Sequence, residues 1–163
     1  MQEAKRNIHI NAPVKEIFEY LKNPEHLVEI WPNTPEISEV ERSPIKGSRF
    51  RWAHHLANTR FEGWGECVHS IPEKRITYVT TGGMLCRMTF TMSPGDDGVN
   101  VALHLTYDAH APWYYGDWEA VLRRECRADA EAMLQALKAR MEAGRGAAIV
   151  KGNDIERSIV LTP

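Results

Sequence analysis

DWEAVLRRECRADAEAMLQALKARMEAG, residues 117–144, is the stretch on which the fold turns. Wrapped at 100° per residue, Leu122, Cys126, Ala130, Met133, Leu137 and Met141 fall on one stripe flanked by Trp118 and Leu134, with Arg124, Arg127, Glu131 and Lys138 opposite. Asp117 is a natural N-cap, Ala143 ends the pattern and Gly144 is the stop. Over roughly 26 residues such a helix extends about 39 Å. One apolar stripe of that length needs an apolar surface to lie on. The sequence offers no second helix of comparable size, so the partner has to be a sheet.

The residues before this helix supply one. From Ile37 the hydrophobic period is two, in runs over 37–42, 47–57, 60–69, 75–81, 84–92 and 99–110. Ser43-Pro44, Ala57-Asn58, Pro72-Glu73, Gly82-Gly83 and the Pro94–Gly98 cluster separate them, and connections this short favour an antiparallel meander. A seventh strand is expected at 7–11, around Ile8 and Ile10. Ala12-Pro13 then opens a short helix bearing Val14, Ile17, Phe18 and Leu21; Asn23-Pro24 breaks it, and 25–31 reads as a second short helix ended by Pro32. The expected class is α+β: a seven-stranded curved antiparallel sheet, two short helices after its first strand, and the long C-terminal helix. Residues 1–145 read as one domain and 146–163 as an extended or disordered tail.

The 163 residues carry 20 Lys and Arg against 22 Asp and Glu, for a formal charge of −2. Nucleic acid is not an expected partner, because phosphate contacts need a clustered cationic excess. No apolar run approaches the roughly 18–20 residues of a membrane span, and the first residues run into a strand-like segment rather than a signal sequence. Cys67, Cys86 and Cys126 are widely spaced among apolar neighbours, as expected of reduced thiols. These features together lead to an expected cytoplasmic location. Cys67-x-His69 and His54-His55 lack zinc spacing, and adjacent strand residues face opposite sides, so neither metal nor another cofactor is expected. No Gly-x-Ser-x-Gly elbow or phosphate loop is present.

The run Ile8-His9-Ile10-Asn11-Ala12-Pro13-Val14-Lys15-Glu16-Ile17-Phe18-Glu19-Tyr20-Leu21, followed by Asn23-Pro24-Glu25-His26-Leu27 and Trp31-Pro32, resembles the opening of the START-like superfamily. This group, also called helix-grip or SRPBCC, includes polyketide cyclases and aromatases, lipid-transfer domains and birch-pollen-allergen-like proteins. The resemblance spans about residues 5–143. It implies a deep cavity between the long helix and the concave sheet face, taking a hydrophobic or aromatic small molecule.

Strand phase places candidate residues in that interior. Phe50, Trp52, His54 and Leu56 share one face of their strand. Met88 and Phe90 lie with Cys86 and Met92 on the next inward face; Leu103, Leu105 and Tyr107 follow Val101 on the last. Tyr78 and Trp64 join them on less cleanly phased strands, and the helix adds Trp118, Leu122, Glu125, Asp129 and Met133. His54 is a candidate base or a core histidine bonded to backbone. Asp129 and Glu125, one turn apart, either face the cavity or occupy a helix shoulder reaching water or Arg87. Trp113, Tyr114 and Tyr115 form a pocket mouth, a contact surface or ordinary packing.

Two small-molecule readings stay open. One is a polyketide cyclase or dehydrase in which His54 or Asp129 removes a proton alpha to a carbonyl and Tyr107 donates to the enolate. The other is a non-catalytic carrier or sensor for a lipid, isoprenoid or similar ligand. A protein-interaction module is a third reading, and a homodimer is left open.

Overall fold

The computed structural model describes residues 1–34, 36–45 and 47–161, of which 144–161 are described by backbone alone. Strand β1 (Gln2–Ile10) leads into helix α1 (Val14–Lys22), a 3-10 turn (Pro24–His26) and α2 (Leu27–Ile30). Strands β2 (Glu36–Ser43), β3 (Gly47–Leu56), β4 (Thr59–Ile71), β5 (Arg75–Gly82), β6 (Met84–Gly95) and β7 (Gly98–Ala109) follow, and α3 (Trp118–Leu161) closes the chain. The sheet order is β1-β7-β6-β5-β4-β3-β2, antiparallel throughout. The expected meander accounts for β2 to β7. β1 lies at the far edge, so the helical insert carries the chain across the sheet. Bulges between Ser38 and Glu41 and between Cys67 and His69 break the register and bend the strands.

Helix α3 lies along β1 and β7, and α1 covers β5 and β6. Both apolar stripes therefore meet one concave face. Asp117 Oδ1 accepts from the Ala120 amide, the N-cap the sequence implies. Leu122, Cys126, Ala130, Met133 and Leu137 are buried against the sheet, while Arg124, Arg127 and Glu131 are exposed and Lys138 is half-buried.

Several boundaries differ from expectation. β1 starts at Gln2 rather than Asn7, because the polar residues ahead of Asn7 pair as an edge strand with β7 and show period two only through Ala4. The stretch 25–31 is a 3-10 turn followed by a four-residue helix. The α3 backbone continues past Gly144 to Leu161. Gly144 and Gly146 each cost a helix only about 1 kcal/mol, and alanines follow at 147 and 148. The side chains from 144 onward lie outside the described residues.

Trp64 points to the outer face, contrary to its reading as an interior residue. In the β3–β4 register Arg51 pairs with Trp64 and Phe50 with Gly65, so the indole lies under the guanidinium groups of Arg49 and Arg51, 4.1 and 5.2 Å from the ring centroid. Gly65 is what keeps this phase. A Cβ there would stand 2.5 Å from the Phe50 ring, which is wholly buried and edge-on to Tyr78. Gly65→Ala is expected to cost about 1–3 kcal/mol by overpacking. Denaturant unfolding of Gly65→Ala, Phe50→Leu and the double variant measures this, and the double variant should be less destabilised than the sum of the singles.

Candidate functional site

Four chain segments meet at one polar cluster inside an otherwise apolar interior. Tyr107, at the end of the inward phase of β7, donates its hydroxyl proton to Asp129 Oδ2 at 2.5 Å. Trp31 donates its indole N–H to the same Tyr107 oxygen at 2.8 Å. His54 on β3 places Nε2 3.6 Å from Asp129 Oδ2, and its Nδ1 lies 2.9 Å from Thr34 Oγ1. The Trp31 indole stacks on the His54 imidazole with centroids 4.6 Å apart. The segment that supplies Trp31 and Thr34 is fixed to β3 by the His55 amide, which donates to the Asn33 carbonyl at 2.7 Å.

His54, Asp129 and Tyr107, read separately as candidate catalytic residues, thus share one cluster, and His54 bonds a threonine rather than backbone. The Thr34 hydroxyl donates its one proton to the Pro32 carbonyl at 3.4 Å. When that proton is so used the hydroxyl accepts from Nδ1–H and the Nε2 lone pair faces Asp129; when it is turned to Nδ1 instead, the N–H lies on Nε2. Nε2 is fully buried and has no hydrogen-bond partner. Burial, with a smaller push from His55, lowers the His54 pKa to about 4. Burial also raises Asp129 to about 7; the Tyr107 hydrogen bond acts against this and nearby Glu125 adds to it. Around pH 5–6 both groups are uncharged, so the 3.6 Å approach is not an ion pair.

The remaining candidates divide by location. Phe50, Trp52, Tyr78, Met88, Phe90, Leu103, Leu105, Leu122 and Met133 are 0–2% exposed and form one continuous core with Trp118. A side chain bordering a water-sized void would expose surface to it, so these side chains fill the interior where they meet. Tyr78 spends its hydroxyl on the Leu21 carbonyl at 2.7 Å, holding α1 to the sheet. Glu125 is at the rim of α3, half-buried and 3.6 Å from Arg124 rather than paired with Arg87. Tyr115 and Trp118 bond the backbone carbonyls of Ala57 and Ala109, and Tyr114 bonds Thr59, which closes the aromatic group over the β3–β4 turn. Trp113 stands out in solvent.

A groove of about 470 Å³ between α2 and α3 reaches the cluster from outside. Trp31 and Thr34 form its floor, and Ala132 and Ala136, on the same face of α3 as Asp129, form one wall. Glu29, on the other wall, is tied to α3 through Arg140 at 2.6 Å and also accepts from the Tyr20 hydroxyl. Thr34 carries no sequence signal of its own. Trp31 registered as the end of a short helix and in the Trp31-Pro32 pair of the family resemblance but not as a site residue, although a buried indole usually needs an acceptor for its N–H. Thr34 sits in an irregular segment where no periodicity applies. Among the described residues no three His, Cys, Asp or Glu side chains cluster to hold a metal ion, and no helix is long and apolar enough to cross a membrane.

A family model described as polyketide cyclase / dehydrase and lipid transport matches residues 1–142. No curated protein matches the sequence. Among solved structures, the protein TTHA0849 from Thermus thermophilus is 21% identical with a TM-score of 0.74, covering 87% of this chain and 98% of its own. A START superfamily protein from Mycobacterium smegmatis is 14% identical with a TM-score of 0.71, covering 88% and 99%. The Zhui aromatase/cyclase from Streptomyces sp. R1128 is 17% identical with a TM-score of 0.64, covering 88% and 97%. At these identities the likeness is one of fold.

The opposite shifts of His54 and Asp129 make a pH prediction. His54, lowered to about 4 from an unfolded value near 6.5, contributes stability that is present above 6.5 and lost as pH falls toward 4. Asp129, raised to about 7 from 3.8, contributes stability that is present below 3.8 and lost as pH rises toward 7. Between about pH 4 and 6.5 the two slopes oppose. Relative to the wild type, Asp129→Asn should gain stability from about pH 4.5 to 6.5 and His54→Gln should lose it, measured as urea midpoints at constant ionic strength.

Proposed function

The chain belongs to the polyketide cyclase / dehydrase and lipid transport family, and from that premise we propose that it binds a hydrophobic or aromatic small molecule between α2, α3 and the sheet and moves a proton on it. One observation carries the reading. Around pH 5–6 a carboxyl and an imidazole lie uncharged beside each other, while the other buried titratable groups among the described residues, Tyr78, Tyr107, Cys86 and Cys126, are all pushed up by burial. Structural packing does not need such a pair, since an apolar pair of similar volume would avoid the desolvation cost.

The groove is within the size range of small-molecule sites. Its floor, Trp31, is the group that separates it from His54. A ligand that displaces the indole would exchange one aromatic stack on His54 for another and gain access to Nε2. The suited substrate is a polyketone with an aromatic or folded acyl portion, whose carbon acid needs a base shielded from water. Tyr107 does not fit the role of enolate donor in the state described, because its proton is committed to Asp129. It acts instead to position that carboxyl. The apolar lining beyond the cluster supports the second reading, a carrier, in which a ligand is held and released unchanged.

Titration of the full chain with 1-phenylbutane-1,3-dione and, separately, with oleate tests this. At a hundredfold excess over Kd the aromatic diketone should raise Tm by about 5–10 °C. Trp31→Phe, which keeps the ring and removes the bond to Tyr107, should speed its association. Binding of oleate alone would favour the carrier, and binding of neither probe would end the proposal.

A further inference from the structure

The Trp31 ring is held by the site around it rather than by its own segment. Its N–H donates to the Tyr107 hydroxyl at 2.8 Å, its face lies 4.6 Å from the His54 imidazole at 18° between planes, and it meets Trp52 at 6.2 Å. The chain that carries it is short and irregular. A four-residue helix precedes it, Pro32 follows, and Asn33 is in the left-handed region at φ 58°. Two backbone bonds of 2.7 Å fix this segment, from the Trp31 amide to the Leu27 carbonyl and from the His55 amide to the Asn33 carbonyl, and neither involves the ring. Rotation about the Trp31 side-chain bonds therefore moves the indole without moving an element of the fold.

The ring also has a place to go. Directly outside it, the groove of about 470 Å³ between α2 and α3 is larger than one indole, and Val28, Ala132 and Ala136 are among its walls. Val28 and Ala132 are exposed, so these apolar walls have no cover of their own. An indole that swings outward lands against them and keeps part of its surface from water.

We propose that Trp31 holds the place of the ligand, and that the ligand is an indole-like molecule: a flat fused aromatic ring bearing an N–H. This rests on the small-molecule reading above and specifies the aromatic portion of that ligand. Tyr107 imposes the N–H. An indole nitrogen only donates, so the Tyr107 oxygen is an acceptor where Trp31 meets it, and its own proton goes to Asp129 at 2.5 Å. A ring without a donor leaves that buried lone pair unmatched, and a ring oxygen at the same point sets a second lone pair against it. His54 imposes the flatness, because the stack needs a planar face. A ring of the same kind as the one it displaces restores the stack, the hydrogen bond and the packing together. The net gain is the burial of the ligand, less the part of Trp31 that the groove leaves wet.

The full chain labelled with 5-fluorotryptophan tests this, since it carries five fluorine reporters and Trp31→Phe identifies the signal that belongs to Trp31. Free indole at saturation should move the Trp31 signal into the solvent-exposed range, read by its response to D2O. Binding of indole with that signal unmoved overturns the proposal. Benzofuran, the same shape with oxygen for N–H, should bind at least about fivefold more weakly to the wild type; equal affinity overturns it. Trp31→Phe leaves a ring in place without the bond to Tyr107, so it should give way more readily and bind indole about fivefold more tightly than the wild type. Unchanged or weaker affinity in a folded Trp31→Phe overturns it as well. 1-Phenylbutane-1,3-dione separates the two readings. If it raises Tm and indole does not bind, this inference falls and the small-molecule reading stands; if neither binds, both fall.

Discussion

A carboxyl group withdrawn from water with one hydroxyl as its hydrogen-bonding partner is the constraint around which the rest is arranged. Asp129 belongs to the buried side of α3 by helical phase, so packing the helix onto the sheet carries the carboxyl inside. Tyr107 meets it there because β7 lies directly beneath the helix, and Trp31 supports Tyr107 because the insert folds back between α3 and β3. Remove the carboxyl, and the Tyr107 and Trp31 donors have no terminus. The same withdrawal from water sets the protonation state of both ionisable groups. The fold's main packing decision and the chemistry of the site are one event.

The groove and the core divide the interior's work. Most inward-facing strand residues are packed against one another and give the sheet its rigidity, while access is concentrated at the short α2 segment and the small side chains of α3 opposite it. The Glu29–Arg140 ion pair at the rim holds α2 against α3, but the floor itself is held by side-chain contacts and one backbone bond. The structural relatives share this frame at 14–21% identity, a level at which the architecture persists while the residues within it are free to differ. The proton-transfer reading therefore rests on this chain's own His54, Asp129 and Tyr107.

Period-two patterning made the sheet legible: Phe50, Trp52 and His54, and likewise Leu103, Leu105 and Tyr107, point where alternation puts them, and the α3 stripe predicts its own burial. The pattern misleads where a glycine takes an inward position. Gly63 and Gly65 leave no apolar mark on the inner face of β4, so the large Trp64 between them looked like the core residue when it belongs to the solvent side. Nor could spacing bring His54 to Asp129, since a sequence states the phase of each element but not the distance across the space between two. Trp31 and Thr34 were out of reach for a different reason: they act through single polar atoms in a segment with no repeating geometry.

The position of β1 has a consequence for how the molecule is made. Gln2 pairs with Tyr107 and Ile10 with Val99, so the first strand finds its strand partner about ninety to a hundred residues later. During synthesis it has to wait, unpaired, while the β2–β7 meander closes hairpin by hairpin, and contacts of such long sequence separation are slow to form. Tyr107 lies on the strand that receives it, and α3 is built later still. The polar cluster is therefore completed at the end of folding, so a chain halted before that stage would hold a nearly finished sheet with no acid–base pair in it.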